Sequence, residues 1–147
     1  MTEDHEHHRG GSPTDLAEAL TRASWRLRKN ERKALAPYGL TFAGARALRA
    51  VVKAGSMRIG DLATLLEIVP RSATTRVDSL EEAGLVTRSA DPDDRRSVLV
   101  EPTSQGRELV ETLAAERRAS AEKLFSPLSS GERAELFRLL ASLTKEA

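Results

Sequence analysis

At 147 residues the chain has room for one domain with a real core, and not comfortably for two. A 39% hydrophobic fraction beside 31% charge fits a soluble helical protein, and no stretch approaches the roughly 20 consecutive apolar residues of a membrane span. The absence of cysteine excludes disulfides, thiol redox sensing and thiolate zinc sites, and a net charge of +1 means that any nucleic-acid surface must come from local charge distribution.

Residues 1–12 are polar and glycine-containing, with no apolar run. They read as a mobile tail rather than a secretory signal, which places the protein in the cytoplasm. His5, His7 and His8 stand there among Glu3, Asp4 and Glu6. This is a metal-ligand composition on a segment too flexible to close a coordination sphere, so a solvated tail is the simpler reading and no cofactor is expected.

Pro13, Thr14 and Asp15 open a first helix whose face is Leu16, Ala19, Leu20, Ala23 and Leu27, ending near Pro37-Tyr38-Gly39. Its run Arg26, Arg28, Lys29, Arg32 and Lys33 contains a single acid, Glu31. The run suits either a phosphate-facing stripe or ordinary solvated surface. Thr41 caps a second helix with the face Ala45, Leu48, Val51 and Val52, closed by Ala54-Gly55-Ser56. Trp25 and Phe42 suit either a pocket for a flat organic molecule or plain packing.

Ile59, Leu62, Ala63 and Leu66 then follow the i, i+3, i+4, i+7 spacing of a short amphipathic helix. After a break at 67–69, Pro70 suits the first position of another helix, with Ala73, Val77 and Leu80 inward and Gly84 as its stop. Two short helices across a tight turn make a helix-turn-helix. Arg71, Ser72, Thr75, Arg76 and Ser79 point outward from the second helix, with Thr74 at the border.

The period then switches. Residues 85–90 and 97–101 are strand candidates around the turn Asp91-Pro92-Asp93-Asp94-Arg95-Arg96, which forms a wing. Strand alternation sets Arg95 and Arg96 on opposite sides. Thr103 caps a long helix carrying Leu109, Leu113, Ala121 and Leu124. Ser129 and Glu132 have capping-box spacing before a last helix with Leu136, Leu139, Leu140 and Leu143. The first and last two helices carry apolar stripes best buried against each other and against a second copy. No nucleophile–base pair and no phosphate-cradling glycine loop are present, and histidine occurs only in the tail, so the protein is not expected to be an enzyme.

The run 58–86, the wing 91–100, Gly39-Leu40-Thr41 and Thr103-Ser104-Gln105-Gly106 together resemble the MarR (multiple antibiotic resistance regulator) family over nearly all of the chain after the tail. The resemblance implies a mainly α fold with a small β wing. A winged helix-turn-helix (41–103) would be flanked by N- and C-terminal dimerisation helices (13–38 and 104–147) within one domain, 13–147. It implies a bacterial transcriptional regulator, a repressor released by a small ligand, that binds a pseudo-palindrome in double-stranded DNA as a homodimer. Carried onto this chain, Pro70, Arg71, Ser72, Thr74, Thr75 and Arg76 would face the major groove. Arg96 would enter the minor groove, oriented by Asp94 through a bidentate pair, with Arg95 on phosphate. Trp25, Phe42 and Arg46 would receive an effector, Arg46 pairing an acidic one. The competing readings are a metal-responsive regulator using the tail histidines and a winged helix that docks proteins.

Three features depart from the family pattern. Glu67 and Val69 stand where glycine and a serine cap are usual, Arg76 where an aliphatic residue is common, and Pro102 where leucine is usual. Pro102 is expected to end its strand early.

Overall fold

The computed structural model describes residues 11–145. The order is α1 (Pro13–Leu35), a 3₁₀ turn (Ala36–Tyr38), α2 (Phe42–Ala54), β1 (Met57–Arg58), α3 (Ile59–Leu66), α4 (Pro70–Glu82), β2 (Val86–Ala90), β3 (Val98–Pro102), α5 (Ser104–Phe125) and α6 (Ser130–Thr144). The fold is mainly helical with a small antiparallel sheet in the order β1-β3-β2. The helices and the two wing strands fall where periodicity puts them. β1 is an addition, because two residues are too short to show an alternating pattern.

The described residues form two compact units, 11–29 with 118–145 and 30–117, with α1 and α5 contributing to both. In the 30–117 unit the core is Leu35, Leu48, Val51, Leu62, Leu66, Val77, Leu80, Leu85, Val86, Val100, Leu109 and Leu113. It thus gathers one face from each of α2, α3 and α4, the start of α5, and the inner side of the sheet. Beside it the Glu31 carboxylate, 1% exposed, accepts from Arg117 Nε at 2.7 Å and Nη2 at 3.4 Å, with Arg49 Nη2 at 3.6 Å. A carboxylate removed from water needs such partners, since an unpaired buried charge is strongly destabilising.

Local chemistry explains the joints. Thr41 Oγ1 accepts the Gly44 N–H at 3.2 Å, capping α2. Gly84 takes the left-handed conformation (φ 76°) that ends the α4 region. Thr103 Oγ1 donates to the Gly84 carbonyl at 2.7 Å and accepts the Gly106 N–H at 3.1 Å. A side chain on Gly106 would overlap the Leu85 carbonyl oxygen. The start of α5 is thereby locked to the base of the wing.

Pro102 does not shorten β3. It pairs with Val86, and the Thr103 N–H bonds the Leu85 carbonyl at 3.0 Å. Val86 and Pro102 therefore form a pair that exchanges no backbone bonds, and the proline nitrogen faces away from β2. β1 reaches only Leu99 and Val100, so no ladder bond is lost on that side either.

The turn before α4 carries the cost expected of its unusual residues. Glu67 sits at φ 55°, and Val69 occupies the N-cap without a side-chain hydrogen bond, 63% exposed. Val69→Ser supplies the missing acceptor and should stabilise the fold by about 1 kcal/mol. A thermal midpoint that stays level or falls would show that the α4 N-terminus is already satisfied without a cap.

In the unit of 11–29 and 118–145, Ser129 and Glu132 form a reciprocal capping box at the start of α6, with bonds of 3.1 and 2.9 Å. The Ser129 N–H holds the Glu132 carboxyl below its usual range. No described residue of α6 is buried. Leu16, Leu20 and Leu27 of α1, Leu124 of α5, and Leu136, Leu139, Leu140 and Leu143 of α6 line an apolar cleft of about 620 Å³.

Candidate nucleic-acid interface

Two projections of the 30–117 unit carry the chemistry. The first is the N-terminal half of α4. Ala73, Val77 and Leu80 anchor this helix in the core, which turns Arg71, Thr74, Thr75 and Ser79 to solvent and leaves Ser72 and Arg76 half-buried. The hydroxyls of Thr74, Thr75 and Ser79 donate to the carbonyls of Pro70, Arg71 and Thr75, at 3.1, 3.1 and 3.3 Å. Their oxygen lone pairs remain outward as acceptors. Among the described residues neither Arg71 nor Arg76 makes an ion pair.

The acids of the same helix are drawn elsewhere. Arg88 of β2 pairs with Asp78, and its Nε lies 3.6 Å from Glu81 Oε1, while its backbone N–H donates to Glu81 Oε2 at 3.2 Å. Two of the three acids in the distal half of α4 are thus paired against the sheet, and the proximal half keeps its positive charge. Sequence reading passed over Arg88. An arginine near the middle of a strand carries no signal of its own until the neighbouring helix is placed.

The second projection is the wing turn. Arg95 and Arg96 are the two corner residues of the turn from Asp94 to Ser97, closed by the Ser97 N–H on the Asp94 carbonyl at 3.0 Å. Both precede β3, so the expected strand alternation does not separate them. The expected carboxylate–guanidinium pair is also replaced. Asp94 Oδ1 accepts the backbone N–H of Arg96 at 3.0 Å, and Oδ2 accepts the Ser97 hydroxyl at 3.0 Å. A carboxylate two residues ahead reaches that N–H in the compact ring of an Asx turn, which a two-residue step along an extended strand does not allow. These two donors, the Arg96 N–H first, hold the Asp94 carboxyl below its ordinary range. Both guanidiniums are exposed, and among the described residues neither forms an ion pair.

The remaining candidates are carried by other elements. Trp25 is on α1, 65% exposed, in the unit of 11–29 and 118–145. Phe42 packs partly against the core at the start of α2, and Arg46, one turn on, is exposed. His5, His7 and His8 lie outside the described residues. Among the described residues no group of acids, histidines or cysteines is arranged to hold a metal ion, and no helix is long and apolar enough to cross a membrane.

The MarR family model matches residues 40–98, the stretch from the start of α2 through the wing turn. The HTH-type transcriptional repressor Rv2887 of Mycobacterium tuberculosis is 30% identical over 128 residues, 87% of this chain and 92% of its own length. The chain belongs to the MarR family. As a member it is a DNA-binding transcriptional regulator and not an enzyme. The solved structure of RV1404 from M. tuberculosis matches with a TM-score of 0.74 and 29% identity, covering 91% of this chain and 93% of that one. A mutant MarR from E. coli complexed with operator DNA shares the fold, with a TM-score of 0.68 and 24% identity over 88% of this chain and 94% of its own. For this MarR-family chain, α3–α4 is the helix-turn-helix and β2–β3 is the wing.

Proposed function

We propose that this regulator represses transcription by binding a pseudo-palindromic operator as a homodimer, and that a small ligand releases it. The observation that carries the reading is that one unit presents two sets of cations that form no ion pair among the described residues, Arg71 and Arg76 on α4 and Arg95 and Arg96 on the wing. Pro70, Arg71, Ser72, Thr74, Thr75 and Arg76 face base edges in the major groove, Arg96 the minor groove, and Arg95 phosphate. Asp94 acts from behind, fixing the Arg96 backbone.

In this reading residues 41–103 are the DNA-binding lobe, while 13–38 and 104–147 supply dimerisation, the apolar cleft being filled by a second copy. The protein works in the cytoplasm, where its DNA is. The repressor name of the 30%-identical relative supports the same direction of action. A releasing ligand must favour the lobe arrangement that does not bind DNA, because equal affinity shifts nothing.

Selecting bound fragments from random genomic duplexes at graded salt tests the reading. Enrichment of a two-fold element, with half-sites about one helical turn (34–36 Å) apart, is the expected result. Equal recovery of all sequences, falling with salt in parallel, would reduce the protein to a non-specific polyanion binder.

A further inference from the structure

The wing turn hangs on one carboxylate that the reading above does not use. Asp91, at the base of the turn, has a side chain 4% exposed. Its Oδ1 accepts the Asp93 N–H at 2.9 Å, and its Oδ2 accepts Arg58 Nε at 2.6 Å. Its backbone closes the same loop, the Asp91 N–H donating to the Ser97 carbonyl at 3.2 Å and the Asp94 N–H donating to the Asp91 carbonyl at 3.3 Å. Arg58 comes from 33 residues earlier. It lies in β1 opposite Leu99 and occupies the N-cap position of α3. One guanidinium therefore joins the root of the wing to the entrance of the helix-turn-helix. Both partners are held in their charged forms. The Asp93 N–H and then Arg58 lower the Asp91 carboxyl, and Asp91 raises the guanidinium.

We propose that Arg58 is a positioning residue for operator binding, aiming the wing by holding Asp91 rather than by touching DNA. The inference rests on the DNA-binding reading of the wing. Residues 91–96 hold three aspartates and two arginines, a net negative tip for a structure that must approach a polyanion. The positive charge of Arg58 offsets Asp91, the acid closest to the core. Without it the buried carboxylate keeps the Asp93 N–H and a smaller contribution from the Asp94 N–H and draws water in, which loosens the loop carrying the Asp94–Arg96 bond.

The test uses the full chain and the selected operator, with Arg58→Met, Asp91→Asn, Arg96→Ala and the double variant Arg58→Met/Arg96→Ala. Hydroxyl-radical footprints separate the wing flanks from the half-site centres, and amide exchange follows residues 92–97. Arg58→Met and Asp91→Asn should each lose flank protection, keep protection at the half-site centres, speed exchange at 92–97, and weaken binding about tenfold. Arg58→Lys should recover part of the protection. The double variant should bind no more weakly than Arg96→Ala alone, because both changes remove one device.

Multiplied losses in the double variant would place Arg58 on a phosphate and overturn the proposal, as would flank protection retained by Asp91→Asn. If Arg58→Met fails to fold, Asp91→Asn, which keeps the Oδ1 acceptor, decides the question. If Arg96→Ala itself leaves the flanks protected, the wing reads no groove, and that reading and this inference fall together. Loss in Arg96→Ala with none in Asp91→Asn removes only the inference.

Discussion

Replacing Leu139 and Leu143 together with glutamate should leave a protein that neither self-associates nor binds operator. In a single chain these side chains are 46% and 75% exposed, so a stable monomer would register little from the change. Their neighbours across the cleft, Leu16 and Leu20, are 60% and 49% exposed. An apolar surface of this kind on a helix with no buried residue is ordinary only when something covers it. In a symmetric pair each substitution is met twice. At roughly 2 kcal/mol per buried leucine, the loss is on the order of 8 kcal/mol, about a millionfold in the dimer constant. Operator binding should collapse with it, since two half-sites would have to be found by separate lobes. Deleting 129–147 should go further and abolish folding, because the remaining stripes of α1 and α5 would face water. Sedimentation of the double variant at micromolar concentration is the measurement. A dimer of unchanged affinity would show that the cleft is not the interface, and a folded, cooperatively melting monomer from the deletion would show that it is not needed for stability.

What the sequence made legible was whatever rests on local periodicity or a cap. The stripes of α2, α3 and α4, the Thr41 cap, the Ser129–Glu132 box and the position of Pro70 are all encoded within one or two turns, and all stand where expected. The outward set on α4 followed from the inward set by subtraction. What was not legible depends on partners far apart in the chain. Arg58 and Asp91 are 33 residues apart, and Glu31 and Arg117 are 86 apart. Nothing in a run of surface-type charges distinguishes the glutamate that becomes 1% exposed from those that stay in water. The wing shows a subtler limit. The residues 91–96 read as a turn, yet the alternation of the strand that follows was extended back to Arg95 and Arg96. One residue of difference changes which physical rule governs their directions. Pro102 failed as a strand breaker for a related reason. Whether a missing N–H matters depends on register, and register is a property of two strands.

The turn geometry sharpens what each wing residue should do. Arg96→Ala is expected to weaken operator binding by roughly 1–3 kcal/mol, with the loss concentrated at the outer A·T positions of the site. A narrow A·T-rich minor groove concentrates negative potential, and an inserted arginine exploits it. Arg96 is the better placed of the two cations because the Asp94 carboxylate already holds its backbone N–H at 3.0 Å. Its main chain is ordered before binding, so insertion costs mainly side-chain rotamer freedom. Arg95, at the neighbouring corner, has no such bond among the described residues, and its flexible cation suits a phosphate. Arg95→Ala should therefore weaken all duplexes about equally and reduce the salt slope by about 1 per chain. Asp94→Ala should follow Arg96→Ala in pattern. Its loss comes from freeing the Arg96 N–H and the Ser97 hydroxyl together, since Asp94 accepts from both. Asp94→Asn, which keeps an acceptor oxygen for one of them, should fall between wild type and alanine. Removing the acid also lessens repulsion from phosphate, so the alanine variant should gain affinity for scrambled DNA while losing it for operator. Affinity measured against salt on operator and scrambled duplexes resolves the four variants. Uniform and equal losses for Arg95→Ala and Arg96→Ala would mean that the wing contributes charge alone, and a normal operator affinity for Asp94→Ala would mean that the Asx turn does not aim Arg96.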